Sequence, residues 1–121
     1  MKIANDRVIA NGTMTGTTAI NSEPIWLGHI ANWGVYAAWT KTGGTLGGAF
    51  KVQISFDDVD EKRPQDVSNW IDLTSATMSV TDASGSAYLL FQDAGYPWAR
   101  VVYTNATGTG TCNVRFNAKG I

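Results

Sequence analysis

With 121 residues the chain has room for one domain and little more, yet enough to bury a core without disulfides or metals. Nine basic residues offset by ten acidic ones, with a net charge of −1 and a pI near 5.6, give no basic stripe for nucleic acid or an anionic membrane. Only 16% of residues are charged, and Thr, Ser, Asn and Gly fill the polar positions instead, a composition of short strands and tight turns rather than of helices.

Residues 1–12 stand apart: Ile3, Val8 and Ile9 lie among polar residues, which predicts an N-terminal arm or edge strand ahead of a β-sandwich domain over 13–121. Residues 1–7 lack the apolar core of a signal peptide, and no apolar run approaches the length of a membrane span. Short strands are predicted at 8–10, 13–20 and 25–27. Period-two alternation then dominates, with Trp33, Val35, Ala37 and Trp39 on one face and Gly34, Tyr36, Ala38 and Thr40 on the other. Phe50, Val52, Ile54 and Phe56 against Lys51, Gln53, Ser55 and Asp57 form the clearest half-buried strand. Weaker runs follow at 70–73 and 77–81, then alternating runs at 87–92, 98–104 and 111–118.

Turn chemistry separates the runs: Asn11-Gly12, Lys41-Thr42-Gly43-Gly44, Gly47-Gly48, Ala83-Ser84-Gly85 and Thr107-Gly108-Thr109-Gly110 each offer the positive φ of a tight reversal. Eight or nine short strands with frequent turns predict an all-β, single-domain antiparallel sandwich or small barrel. The stretch 58–69 is polar and holds Pro64, and is expected to be a solvated loop.

Candidate chemistry is sparse. His29 is the single histidine and no Gly-x-Ser-x-Gly elbow occurs, so a catalytic triad has nothing to assemble around. Cys112 is the single cysteine and reads as a small buried hydrophobe. Asp57, Asp58, Asp60, Glu61 and Asp66 hold enough oxygens for calcium but lack the spacing and glycine of a calcium loop, and Lys62 and Arg63 compete for the same carboxylates. The glycine-rich segment 42–48 has no Lys-Ser/Thr after it and no helix for a phosphate. No catalytic residue, metal or cofactor is expected. Five tryptophans rise above this background: Trp33 and Trp39 share a strand face and read as core, and Trp26 and Trp98 adjoin prolines and read equally as core or interface.

Three segments, taken in order, resemble a family. Gly48-Ala49-Phe50-Lys51-Val52-Gln53-Ile54-Ser55-Phe56-Asp57 comes first, then Asn69-Trp70-Ile71-Asp72-Leu73. Trp98-Ala99-Arg100-Val101-Val102-Tyr103-Thr104 follows, with Gly108-Thr109-Gly110 and the ending Asn117-Ala118-Lys119-Gly120. Over 31–120 this order is similar to small virion proteins of tailed bacteriophages. The resemblance implies a jelly-roll or related sandwich on the virion capsid surface, made in the bacterial host cytoplasm. The implied role is that of a decoration (cement) protein binding across major capsid protein subunits. Trp70, Arg100 and Tyr103 match the pattern and are expected to build the fold. On this reading Met1, Lys2, Ile3, Arg7 and Val8 of the arm, with Trp26 and Trp98, are the candidate capsid or subunit interface. The expected partners are the major capsid protein and further copies of the chain, as a dimer or trimer, with no nucleic acid or membrane. The alternatives are a carbohydrate-binding or adhesion module using Trp26, Trp33 and Trp98 to hold a glycan, and a tail or baseplate component.

Overall fold

The computed structural model describes residues 3–17, 19–28, 32–92 and 95–119, with the side chains of 3–6, 74, 75 and 119 left aside. Met1, Lys2, His29 and Gly120 therefore lie outside the described residues, as does the side chain of Ile3. The chain is all-β. Its strands are β1 (Ile3–Met14), β2 (Ala19–Asn21), β3 (Ile25–Trp26), β4 (Asn32–Ser55), β5 (Ile71–Val80), β6 (Gly85–Gln92) and β7 (Trp98–Lys119).

β4 and β7 pair antiparallel along their whole lengths, from Asn32 opposite Lys119 to Ser55 opposite Trp98. This ribbon is the spine, and its two halves are flanked differently. The first half of β4 takes β6 at its side, and the facing end of β7 takes β1. The second half of β4 takes β5, and the facing start of β7 takes β2 and β3. Counting each half separately gives nine short segments, in line with the eight or nine expected.

Side-chain parity shows how the halves meet. In β4 the buried residues are Trp33, Val35, Ala37 and Trp39 before the middle, and Leu46, Phe50, Val52 and Ile54 after it. In β7 they are Ala99, Val101, Tyr103 and Asn105, then Cys112, Val114, Phe116 and Ala118; the paired strand ends Ser55 and Trp98 are buried as well, on the opposite parity. Both strands switch from odd to even at the same place. Residues from both halves nevertheless form one core cluster. The register shifts between Lys41 and Gly48 absorb this inversion, and for both halves to reach one core the ribbon must bend there, so the sheet doubles into two layers around that core. Trp39 and Phe50 meet across the fold with ring centroids 5.8 Å apart, and Phe50 leans on Tyr103 at 4.5 Å. Burial of each such large side chain contributes roughly 1.5–3 kcal/mol, before entropy is counted.

The glycine-rich segments make this bend. Hairpin reversals were expected at 41–44, 47–48 and 107–110, but all three lie inside continuous strands, at the register shifts between Lys41 and Gly48. The physical reason is shared chemistry: positive φ and the lack of a Cβ serve a bulge as well as a turn. Gly44 has φ +67° and Gly108 φ +72°, and a Cβ on Gly108 would fall 2.7 Å from the Leu46 backbone. Asn11-Gly12 is likewise no reversal, since Asn11 takes φ 49° at an irregularity within β1.

Two polar straps hold the bend. On the β4 side the β5–β6 loop caps donors that the ladder leaves free. Asp82 accepts the Leu46 N–H at 3.0 Å and pairs with Lys41 at 2.6 Å. Ser84 Oγ accepts the Lys41 N–H at 2.9 Å, and the Trp39 indole donates to the Ala83 carbonyl at 2.9 Å. On the β7 side buried Asn105 accepts from the Tyr103 hydroxyl at 2.8 Å and donates to the carbonyls of Gly16 and Gly108 at 2.9 and 3.1 Å. Burial, and less strongly repulsion from an ionised Cys112, push the Tyr103 phenol up to about 12.

Of the two forms expected for the first residues, an arm or an edge strand, residues 3–14 take that of a strand at the end of the sheet. β1 is hydrogen-bonded to β7, it runs two residues past the expected boundary at 12, and Ile9 and Met14 belong to the core. The expected strand over 13–20 is broken by a turn at 16–17, with β2 starting at Ala19. Phe56 was expected on the buried face of its strand, but β4 ends at Ser55 and Phe56 is exposed, edge-on to Tyr96. The loop that follows is pinned by Asp57, which accepts from the Ser68 and Asn69 backbone and from the Asn69 amide, contacts that hold its carboxyl below the usual range. One short 3-10 turn, Pro64–Asp66, lies within it.

Two outcomes test this account. Gly108→Ala should lose about 1–2 kcal/mol to the left-handed backbone and about 1–3 kcal/mol more to overpacking. Gly16→Ala, at φ +57° with open space around it, should show only the first loss. Urea midpoints for the two variants measure the difference. Asp82 is held below its ordinary pKa, first by the Lys41 hydrogen bond and then by the Leu46 N–H. Its contribution is therefore present above the unfolded value near 3.8 and is lost as pH falls through the lowered folded value. Asp82→Asn should flatten the acid limb of stability between pH 5 and 2 relative to the parent chain, with the residual slope left to Asp57.

Candidate functional site

The two layers present different faces to water. On the second layer, register brings Lys51, Gln53 and Asp72 beside Arg100, and they satisfy one another. Arg100 Nε donates to Gln53 Oε1 at 2.8 Å, Gln53 Nε2 donates to Asp72 Oδ1 at 2.9 Å, and Lys51 reaches Asp72 at 3.9 Å. The Arg100 guanidinium also lies 4.5 Å over the Trp70 ring, and partial burial draws its pKa down. Tyr103 is buried on the other side of the same strand. Trp70, Arg100 and Tyr103 thus build the fold, as expected.

The first layer is open. Its outward positions fall in rows across β1, β7, β4 and β6. One row is Arg7, Arg115, Tyr36 and Tyr88; the next is Asn117, Gly34 and Leu90; Asn32 and Gln92 lie beyond. Tyr36, Tyr88 and Leu90 are 43%, 67% and 75% exposed, so three large apolar side chains stand together in water. Gly34 leaves a gap between them that Leu90 flanks, since a Cβ there would sit 2.9 Å from the Leu90 side chain. The result is an open groove of about 570 Å³ lined by Asn32, Gly34, Tyr36, Tyr88, Leu90, Gln92 and Asn117 among others. At its end Arg7 and Arg115 are direct cross-strand partners, both exposed, an arrangement of like charges that costs stability. The face can stack a ring or an apolar side chain on two tyrosines, hydrogen-bond through three amides, and pair a carboxylate with two arginines.

The expected interface residues are dispersed. Arg7 lies on the open face. Val8 is half-buried and packs on the core. Trp98 is only 1% exposed, so as an interface residue it is corrected: its proline neighbour marks the entry to a core strand, and Trp26 covers it edge-on at 5.1 Å. Trp26 is half-buried, with Gly28 close against its ring, and among the described residues its indole N–H and that of Trp98 are buried without a hydrogen-bond partner. Trp33, a candidate sugar-stacking ring, is buried against Phe91 at 4.3 Å. Sequence reasoning missed Tyr36, Tyr88 and Leu90. The available signal was that 87–92 carries large apolar residues at both parities, more than one buried face can use.

Cys112 is buried, and desolvation pushes its thiol up to about 11, so it packs rather than reacts. Among the described residues no three His, Cys, Asp or Glu side chains gather where they could hold a metal.

No protein-family model and no curated protein sequence matches the chain. Solved structures do. Over 98% of its length the chain superposes on the PBSX exported protein XepA, with a TM-score of 0.69 at 12% identity, spanning 37% of that larger chain. Over 97% it superposes on the SPBc2 prophage-derived protein YomS, with a TM-score of 0.55 at 14% identity and 92% of that chain covered. At these identities the likeness is one of fold: this chain has the same all-β architecture as part of XepA and as nearly all of YomS.

Proposed function

We propose that this chain is a non-catalytic structural protein of a tailed-phage particle, a capsid decoration protein that docks on the major capsid protein through the open face of β1, β7, β4 and β6. The observation that carries this reading is the exposed Tyr36, Tyr88 and Leu90 cluster beside the Arg7–Arg115 pair. Aromatic anchors ringed by polar groups, with arginine at the margin, are the composition of interface hot spots. The arginine pair asks for a partner surface with carboxylates. The phage setting draws on the resemblance of 31–120 to small virion proteins, and the fold shared with two prophage proteins is compatible with it. A cement role needs no chemistry: modest binding repeated over a shell sums to mechanical resistance.

Purified protein mixed with shells lacking it should co-sediment and saturate at on the order of hundreds of copies per shell. Tyr36→Ala and Tyr88→Ala should each weaken binding by about tenfold or more, with a urea midpoint unchanged for Tyr88→Ala, whose side chain is 67% exposed, and only slightly lowered for Tyr36→Ala, whose side chain is 43% exposed. Failure to bind expanded shells, or binding indifferent to both substitutions, would remove the reading.

A second reading has its own support. Two register-paired tyrosines with Asn32, Gln92 and Asn117 around the Gly34 gap form an uncharged groove that suits a sugar ring, which would make the chain a virion adhesion module. Calorimetric titration with a panel of bacterial surface glycans should then give saturable binding that Tyr36→Ala abolishes. A panel without binding removes the adhesion reading.

A further inference from the structure

Among the described residues the folded sheet ends at four places, and three are protected. β1 carries Asp6 and Arg7 and two register irregularities. β2 and β3 are three and two residues long and are separated by Glu23-Pro24. β5 carries Asp72 and lies opposite the register shift between Lys51 and Gln53. Charge, proline, shortness and bulges are the devices that stop an edge from pairing with another chain. β6 has none of them. Gly85–Gln92 is eight residues long, without charge or proline, and its register with β4 is unbroken from Asn32–Gln92 to Trp39–Gly85. Among the described residues it pairs with β4 alone. Its outward side chains include the two most exposed large apolar residues of the first layer, Tyr88 and Leu90.

We infer that β6 is the contact between two copies of this chain, paired antiparallel edge to edge about a two-fold axis so that two four-stranded layers join. The strand is its own complement. Both copies are uncharged along Gly85–Gln92, so their approach meets no like-charge repulsion. With the axis at Leu89, each Tyr88 faces the other copy's Leu90, an aromatic–aliphatic cross-strand pair made twice by symmetry. Pairing also satisfies the backbone groups along the free side of β6. The contact closes after two copies, so it yields a dimer rather than a filament. It goes beyond the docking role and does not depend on what the open face binds.

Sedimentation of the full chain, without capsids or glycans, tests it. At tens of micromolar the parent chain should sediment at twice the 13.0 kDa of one chain. Tyr88→Lys with Leu90→Lys should sediment as a monomer, and so should Tyr88→Glu with Leu90→Glu, each unfolding cooperatively with a urea midpoint that, unlike the parent's, does not rise with protein concentration. The two variants mixed should return to a dimer containing one of each, since opposite charges then face across the strand pair whether the axis lies at 88 or 89. A monomeric parent chain would overturn the proposal and leave β6 open to a foreign strand. A dimer that persists in both variants would overturn it in favour of another surface.

Discussion

The rest of the structure depends on the fold in the β4–β7 ribbon. A two-stranded ribbon of this length cannot bury one face along its whole run without a partner layer, so it supplies its own by bending over. A bend alone keeps one parity on its inner face, so the odd buried positions of the first halves and the even ones of the second are reconciled by the irregular stretch between them. β4 takes seven residue steps from Lys41 to Gly48 while β7 takes five from Gly110 to Asn105, both odd, and the inversion follows. Bending breaks the hydrogen-bond ladder, and a broken ladder leaves donors and acceptors that must find partners. Asp82 and Ser84 on one side and Asn105 on the other are those partners. The β5–β6 loop is therefore the clasp of the sandwich as well as a connection.

That geometry decides which surface is free to act. Each half of the ribbon keeps one outer face. The second layer closes its own with a cross-strand ladder of Arg100, Gln53, Asp72 and Lys51, and Trp70 lies under the arginine. The first layer leaves tyrosines and leucine in water and sets two arginines opposite each other. Neither feature helps the isolated domain. Exposed apolar area invites association, and the arginine pair repels itself. Groups that are unfavourable in the free protein and clustered on one face are best accounted for by something that covers them.

Much of the fold was legible because alternation is a direct physical record of burial. The runs at 33–39 and 50–54 are half-strands of β4 read with the correct inward face, and those at 98–104 and 111–118 are the two halves of β7. Their continuity was not legible. Gly43-Gly44 and Gly47-Gly48 carry the same conformational permission in a bulge as in a hairpin, and only the long-range pairing of β4 with β7 tells them apart. The site was less legible than the fold. Tryptophan drew attention as the largest side chain, yet Trp33, Trp39 and Trp98 are buried for that very reason: the largest apolar area gains most from leaving water. Tyrosine carries a hydroxyl that tolerates water, and Tyr36 and Tyr88 hold the exposed positions on the polar parity of their strands. Arg7 was placed at the interface as part of an arm, and it stands on the open face because β1 brings it opposite Arg115.

β6 joins the two functional features. It is at once the free edge of the first layer and the strand that presents Tyr88 and Leu90 on its outer face. Edge pairing uses backbone groups in the plane of the sheet, whereas docking uses side chains normal to it, so the same strand can serve both without competition. In a two-fold pair the grooves of both copies adjoin across the axis, and the surface offered to a partner doubles with the two arginine pairs at its far ends. A site doubled in this way binds by effective concentration: the first contact holds the second near its target, and two weak faces act as one strong one. For a chain with little charge to steer it, that geometry is a route from a shallow groove to lasting attachment.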